Sequence, residues 1–402
     1  MNTSKTDSTF CEMPTQAPVG TQSSELPPGA TRSFTVLPRT VPTDAGLQLV
    51  TPRKPRYEVV KRLGEGAFGE VALAQDNDIE RAVAIKRIRV DRLDPDTLSR
   101  FVSEVQSVGR LEHPGIIPVH DVGLDDRGYF FVMKYVDGET LESIIAKLRR
   151  GDRAYHAKYT MEYRTQLFLQ LCRAVQFAHA RGFVHRDIKP ANIMVGRFGE
   201  VVLMDWGLAK EVGVAEVMGA HKPTAPGEYF GTMLGHALGT PAYMAPEQAR
   251  GEHDRTDGRS DVYSLCAVFF ELLALRHYLD TKPTVEALLQ AVKTEEPVSA
   301  IAMHHRYQVS PELAWLVRKG LEKDPALRYQ TVEELCDRLQ AALEGAGPVM
   351  CPCTALKRAN GSWSDFIDRH PVLAVVAAVF GVVFALVGLG VTVYVVAASF
   401  GH

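Results

Sequence analysis

Short apolar runs separated by glycine, then longer runs at helical spacing, divide the chain into two stretches of different character. Tyr57–Leu63 and Val71–Ala74 read as strands on either side of a glycine-rich turn, and Ala82–Val90 reads as a third. Asp94-Pro95 then supplies an N-cap and a first helical position. Leu98, Phe101, Val102, Val105 and Val108 follow as an apolar stripe, with Glu104 on its flank. Ile116–Leu124 leads to a strand at Tyr129–Met133, and Lys134–Gly138 reads as a hinge. Beyond it the period becomes helical. Thr140–Arg150 is a helix, Gly151–Lys158 a polar insertion, and Glu162 to Arg181 a long helix. Ile193–Val195 and Val201–Met204 read as a hairpin, Val262–Leu275 as an apolar helix opened by Asp261, and Thr331-x-x-Glu334 as the capping box of a last helix.

Both ends depart from this pattern. Residues 1–56 are rich in Thr, Ser, Pro and Gln without sustained apolar periodicity, so they are expected to be disordered. No apolar run of signal-peptide type follows Met1. Pro371–Ala398 contains no charge, and its length exceeds the ~20 apolar residues that span a bilayer, so one transmembrane helix is expected. Lys357, Arg358 and Arg369 precede it and no Lys or Arg follows, which puts the preceding domain in the cytoplasm. Residues 399–402 leave room for a short extracytoplasmic tail and no sensor domain. Trp363 and Phe366 suit a membrane interface, and Ala377, Gly381 and Ala385 form a small-residue face that could support a homodimer.

Composition narrows the function. A net charge of −3 over 402 residues leaves no basic excess to neutralise nucleic-acid phosphates. Six cysteines are too few and too scattered for a disulfide framework, and a reducing compartment is expected. Cys172, Cys266 and Cys336 fall in apolar helical patterns and read as small core residues. Cys351-Pro-Cys353 lacks the further ligands a metal site needs, which leaves an inert linker or juxtamembrane lipidation.

The chemistry concentrates in Val184–Gly207, where Asp187, Lys189, Asn192 and Asp205 stand among apolar runs. A carboxylate and a carboxamide close together, with a second carboxylate across a hairpin, describe a site for magnesium. That ion takes few protein oxygens and keeps the rest of its shell for water and phosphate. Phosphoryl transfer follows as the working chemistry. Gly64-Glu65-Gly66-Ala67-Phe68-Gly69 lies between strands, not before a helix, and a glycine-rich hairpin lets backbone N–H groups approach phosphates. Lys86, inside the strand AVAIK, needs a charged partner, and Glu104 is the candidate.

Taken in order, GEGAFG, AVAIK, HRDIKPAN, DWG, PAYMAPE and SDVYS resemble the signature set of the protein kinases. The details look most like the eukaryotic-type (Hanks-type) Ser/Thr kinases of bacteria, which often carry one transmembrane helix. The resemblance covers Tyr57 to Leu343 and implies an α+β bilobal fold. A β-rich N-lobe would occupy 57–133 and a helical C-lobe 138–343, followed by a linker at 344–370 and the span at 371–398. It also implies roles. Leu63 and the loop Gly64–Gly69 would cover the nucleotide, with Val71 and Ala84 lining the adenine pocket and Met194 as its floor. Lys86, held by Glu104, would contact the α/β-phosphates of ATP. Asp187 would be the base, Lys189 would neutralise the γ-phosphoryl group, and Asn192 and Asp205 would hold Mg²⁺, or Mn²⁺ in its place. Lys189 matches the Ser/Thr-kinase pattern. Arg186 could pair with a phosphothreonine in the activation segment, at Thr232 or, as runner-up, Thr224, while Thr240 would bond to Asp187 and Lys189. Glu247–Arg328 resembles the family's buried ion pair, and Asp261 would anchor the catalytic loop.

Two positions depart from the family: Trp206 stands for the usual Phe of DFG, and Cys266 for the usual Gly of SDVYSLG. Neither change removes a charged group that does chemistry. The expectation is a membrane-tethered kinase acting on Ser/Thr of proteins. A nucleotide-binding pseudokinase scaffold is the main alternative. A kinase of small metabolites is the second, disfavoured by GTPAYMAPE, a segment that serves a peptide substrate.

Overall fold

The structure is a computed structural model that describes residues 34–43, 46–50, 54–65, 69–88, 95–125, 127–211 and 240–344. Inside the stretch expected to be disordered, Arg39–Thr43 (β1) and Gly46–Val50 (β2) pair antiparallel, with Arg39 opposite Val50. A two-stranded ribbon is marginal by itself. This one is fastened at its base, where the Val36 and Leu37 amides donate to Asp78 Oδ1 at 2.9 and 3.1 Å, and Arg39 Nη2 donates to the Asn77 carbonyl at 2.8 Å. Disorder over 1–56 is therefore corrected for this hairpin, whose strands are exposed along their whole length and so carry no buried alternation.

Tyr57–Glu65 (β3), Gly69–Asp76 (β4) and Arg81–Ile88 (β5) run antiparallel, and Pro95–Gly109 (α1) leads on to Val119–Asp125 (β6) and Gly128–Lys134 (β7). The five strands form one sheet in the order β3-β4-β5-β7-β6. Register shifts between Val59 and Lys61 and between Arg62 and Gly64 bend β3 as it enters the glycine-rich turn. Ala74, Val83, Ile85, Phe130 and Val132 pack together, while Ile88 and Phe131 meet Phe101 of α1. The helix lies on the sheet through Phe101, Glu104, Ser107 and Val108, a spacing of three to four residues. Two expectations for α1 change as a result: Val102 is 42% exposed, and Glu104, placed on the flank, is buried.

Past the hinge, Gly138–Thr140 (β8) runs into Leu141–Arg149 (α2), whose first turn is capped by Thr140 accepting from the Ser143 amide. The segment expected as a polar insertion contains a helix, Arg153–Lys158 (α3), capped by Asp152. It buries none of its residues, so no apolar stripe marked it. Tyr155 ties it to the lobe, donating to Glu139 and accepting from Lys147 Nζ at 2.6 Å. Met161–Ala180 (α4) delivers the chain to Phe183–Val184 (β9) and then to the hairpin Ile193–Gly196 (β10) and Val201–Leu203 (β11), with Lys210–Glu211 (β12) returning to β9. Pro246–Ala249 (α5), Gly258–Ala274 (α6), Val285–Thr294 (α7), Ala300–Tyr307 (α8), Pro311–Gly320 (α9) and Val332–Leu343 (α10) complete the C-lobe.

Helix α6 is buried from Ser260 to Leu273 without an exposed face, the mark of a helix at the centre of a lobe. Phe269 of α6 stacks on Phe168 of α4 with centroids 4.0 Å apart. Cys172, Cys266 and Cys336 are free and buried in this core. At the start of α10, Thr331 Oγ1 accepts from the Glu334 amide, but Glu334 Oε2 reaches back to the amide of Gln330, one residue beyond the expected reciprocal bond to Thr331. Among the described residues no helix is long and apolar enough to cross a membrane. The expected span Pro371–Ala398, the linker cysteines Cys351 and Cys353, the loop residues Gly66, Ala67 and Phe68, and Thr224 and Thr232 all lie outside the described residues.

Candidate active site

One part of the site starts on β5. Antiparallel pairing sets Lys86 opposite Val71, and Ala84 lies two residues away on the same face. Lys86 Nζ donates to Glu104 Oε1 and Oε2 at 2.6 and 2.8 Å, and it lies 3.4 Å from Asp205 Oδ1. Burial alone would lower the pKa of this ammonium, but Asp205 and Glu104 together raise it above the ordinary lysine value, so Lys86 stays protonated. Gly69 closes the glycine-rich turn against β5, where a Cβ would sit 1.9 Å from the Arg87 carbonyl oxygen. Leu63, Gly64 and Glu65 form the exposed end of β3. Met194 of β10 is half-buried between Val202 and Thr140 on its neighbouring strands.

The loop between β9 and β10 is shaped by one carboxylate. Asp261 Oδ2 accepts from the His185 amide and Oδ1 from the Arg186 amide, both at 2.8 Å, and His179 Nε2 lies 2.8 Å from Oδ2. Arg186 thereby adopts a φ of 69°, a left-handed conformation that turns the chain toward Asp187. Its carbonyl accepts from Gln248 Nε2 at 3.0 Å. Lys189 Nζ donates to Asp187 Oδ2 at 2.7 Å, and Asn192 Nδ2 donates to the Asp187 carbonyl and to Oδ2 at 2.9 and 3.1 Å. Burial raises the Asp187 pKa, Asp205 adds to the rise, and Lys189 opposes it. Lys86 has the opposite effect on Asp205, whose pKa is lowered against burial so that it stays ionised.

The donor set suits a hard divalent cation. With its side-chain nitrogen committed to Asp187, Asn192 has its side-chain Oδ1 left to coordinate, and Asp205 supplies a carboxylate. Two protein oxygens are what magnesium needs where phosphates and water complete the octahedron. Asn192 and Asp205 stand on the two sides of the β10–β11 hairpin, joined where the Met204 amide donates to the Asn192 carbonyl at 2.8 Å.

Trp206 and Cys266 both lie in the core. Trp206 is 0% exposed, stands edge-on to His185 at 4.5 Å, and its Nε1 donates to the Leu203 carbonyl at 3.4 Å. Cys266 takes space left by Gly320 of α9, where a Cβ would lie 2.0 Å from Sγ. Glu247 and Arg328 form a buried bidentate pair at 2.8 Å on both arms. Thr240 opens the short turn Thr240–Tyr243, and its side chain lies outside the described set. That turn carries a link the sequence did not announce: Tyr243 donates to Glu271 of α6, which also accepts from Arg149 Nη2 of α2 at 2.9 Å. His179 and Gln248, which brace the loop around Asp187, were likewise missed. Their partners lie in other elements, and no spacing in the sequence marks them.

The model of the protein kinase domain matches residues 57–339. The chain is 33% identical over 315 residues to serine/threonine-protein kinase PknD of Protochlamydia amoebophila, an alignment covering 76% of this chain and 32% of that protein. It is 34% identical over 310 residues to PknD of Chlamydia felis, covering 75% and 32%. It is 34% identical over 324 residues to a probable serine/threonine-protein kinase of Streptomyces coelicolor, covering 79% and 44%. The chain thus spans about a third to under a half of the length of these relatives. By the match over 57–339, the chain belongs to the protein kinase domain family.

Proposed function

We propose that the chain is a serine/threonine protein kinase that transfers the γ-phosphoryl group of ATP to hydroxyls of protein substrates. The observation that carries this reading is the convergence of two charge-matched clusters, Lys86–Glu104–Asp205 and Asp187–Lys189–Asn192, from both lobes. Lys86 is the cation for the α/β-phosphates, and Glu104 holds it in place. Asp187 orients the substrate hydroxyl and takes its proton as the oxygen attacks phosphorus and the bond to ADP breaks. Lys189, bonded to the same carboxylate, offsets charge on the phosphoryl group in transit. Asn192 and Asp205 would hold Mg²⁺, with Mn²⁺ as an alternative, and that ion supplies charge neutralisation of the phosphates. Leu63, Val71, Ala84 and Met194 form the apolar slot for the base, with the glycine-rich turn over the phosphates.

The same proposal extends to regulation and location. Autophosphorylation at Thr232 or Thr224 would give Arg186 an anionic partner, with Thr240 bonded near Asp187 to favour Ser/Thr substrates. Pro371–Ala398 tethers the kinase domain to a membrane from the cytoplasmic side, and its small-residue face supports a homodimer. The relatives named as serine/threonine kinases and the lysine at position 189 support the amino-acid specificity.

Incubating the full chain with labelled ATP and Mg²⁺, beside Asp187→Asn and Lys86→Met, tests the reading. Label should enter the wild-type chain or a generic protein substrate and be lost from both variants. ATP binding by the wild type without any labelling would sink the enzyme reading and leave a nucleotide-binding scaffold.

A further inference from the structure

Three free cysteines of the C-lobe core take no part in the proposed chemistry, and two of them meet. Cys172 lies midway along α4 and is 0% exposed, while Cys336, in the second turn of α10, is 7% exposed. The two helices pack side by side there. Arg173 Nη2, next in sequence to Cys172, donates at 3.3 Å to Oε1 of Gln340, one turn beyond Cys336. On the same seam the Cys172 thiol donates to the Cys336 sulfur. Thiols are weak donors and weak acceptors, so the bond itself adds little to the fold. Its consequence is that two sulfurs are held together. Cys266 is a neighbour of Cys172, but its Sγ lies in the space left by Gly320.

The surroundings make the two thiols unequal. Burial raises the Cys172 pKa well above the ordinary value, and its bond to Cys336 adds to the rise. The Cys336 pKa is lowered, because its thiolate accepts from Cys172 and stands near the Arg173 guanidinium, and burial does not outweigh them. The thiolate is the reactive form of a cysteine. Solvent reaches this seam through a groove of about 430 Å³ lined by Leu169, Gln170, Arg173, Gln340 and Leu343. A sulfur favoured as thiolate beside a groove, with a second sulfur behind it, has the parts of an oxidisable pair: one atom to react and one to resolve.

We propose that Cys172 and Cys336 form a reversible disulfide when the chain meets hydrogen peroxide, stapling α10 to α4. The Cys336 thiolate attacks one peroxide oxygen and the O–O bond breaks. The departing hydroxide takes up the proton that Cys336 gave, leaving water and a sulfenic acid. The Cys172 sulfur then attacks the Cys336 sulfur, the S–O bond breaks, and the hydroxyl leaves with the Cys172 proton as a second water. Both sulfurs are oxidised and one peroxide is reduced to two waters. The bridge would tie the helix that runs into the Asp187 loop to the last helix of the domain. In a reducing compartment such a bridge is transient. It does not depend on the phosphoryl-transfer reading.

The test uses the full chain, reduced, freed of reductant and treated with hydrogen peroxide. Remaining thiols are blocked with N-ethylmaleimide in denaturant before digestion and mass spectrometry. The peptides of Cys172 and Cys336 should appear joined, and should separate again with dithiothreitol. Joining should persist in Cys266→Ala. In Cys172→Ala it should vanish, and dimedone should label Cys336 several-fold more than in wild type, because the sulfenic acid has no sulfur to resolve it. Backbone hydrogen exchange across 332–343 should slow by about tenfold in the oxidised wild type, as a cross-link that restrains opening requires. Wild-type chain in which both residues still take the maleimide would overturn the proposal. So would pairing of either with Cys266, Cys351 or Cys353 instead, passage of Cys336 to sulfinic acid, or a bridge that leaves exchange across 332–343 unchanged.

Discussion

Lys189 and Asp187 share a hydrogen bond whose consequence is a pH dependence. As the proposed base Asp187 must be ionised to take a proton, and burial and Asp205 raise its pKa while Lys189 opposes that rise. Activity should fall as pH drops through the raised pKa. In Lys189→Met the opposing effect is gone, so the acidic limb of the kcat/KM profile should move to higher pH; a limb that stays put would remove Lys189 from this role. A second residue-scale expectation concerns Gly320, whose missing Cβ makes room for Cys266. Gly320→Ala should destabilise the fold by about 1–3 kcal/mol in denaturant unfolding, the usual cost of overpacking. Adding Cys266→Gly should recover part of that loss, as a double-mutant cycle would read. Asp187, Asn192 and Lys189 were legible in the sequence because they lie within a few residues of one another. The clearance between Cys266 and Gly320 was not, because it depends on how closely α6 approaches α9.

Among the elements, α6 organises the C-lobe, and its first turn makes the polar connections. Asp261 sets the loop that carries Asp187, while Ser260 donates to Glu247 Oε1 at 2.6 Å and so joins the buried pair with Arg328. Removing one side of such a pair leaves a buried charge behind, so Arg328→Met should cost about 3–5 kcal/mol of stability. Burial raises the Glu247 pKa, but its bonds to Arg328 and Ser260 lower it below the ordinary value. The pair therefore contributes fully above the unfolded carboxylate pKa and is lost as pH falls through the folded one. Unfolding of wild type and Arg328→Met should converge as the solution is acidified; a constant gap would contradict this origin. Strands β4 and β5 and helix α4 were readable because burial writes a period into them, and α6 because it is a long, nearly unbroken apolar run. Helix α3 buries nothing and both strands of hairpin β1–β2 are exposed throughout, so neither leaves such a trace. Val102 was misread for a related reason: the Lys86–Glu104 pair was legible, but the apolar stripe did not show that the pair would turn Glu104 inward and leave Val102 exposed.

At the scale of the molecule, the folded unit begins before the family match at residue 57, because Asp78 and Asn77 hold the hairpin against the N-lobe. Asp78→Ala should expose Arg39–Val50 to limited proteolysis while the rest of the domain stays intact; unchanged resistance would mean that other contacts hold it. Tethering is tested at the same scale: a chain ending before Pro371 should leave the membrane fraction and remain soluble. The bonds from Asp261 to the loop before Asp187 have a further consequence, for the order of synthesis. Asp261 follows His185 by 76 residues, and Arg328 follows Glu247 by 81. A chain growing on the ribosome therefore displays Lys86, Asp187 and Asn192 well before the residue that shapes their loop has been made. The lock on that residue's own helix comes later still. The proposed chemistry is thus withheld from the nascent chain until nearly the whole domain has emerged, and a polypeptide cut short there would be inert toward its neighbours.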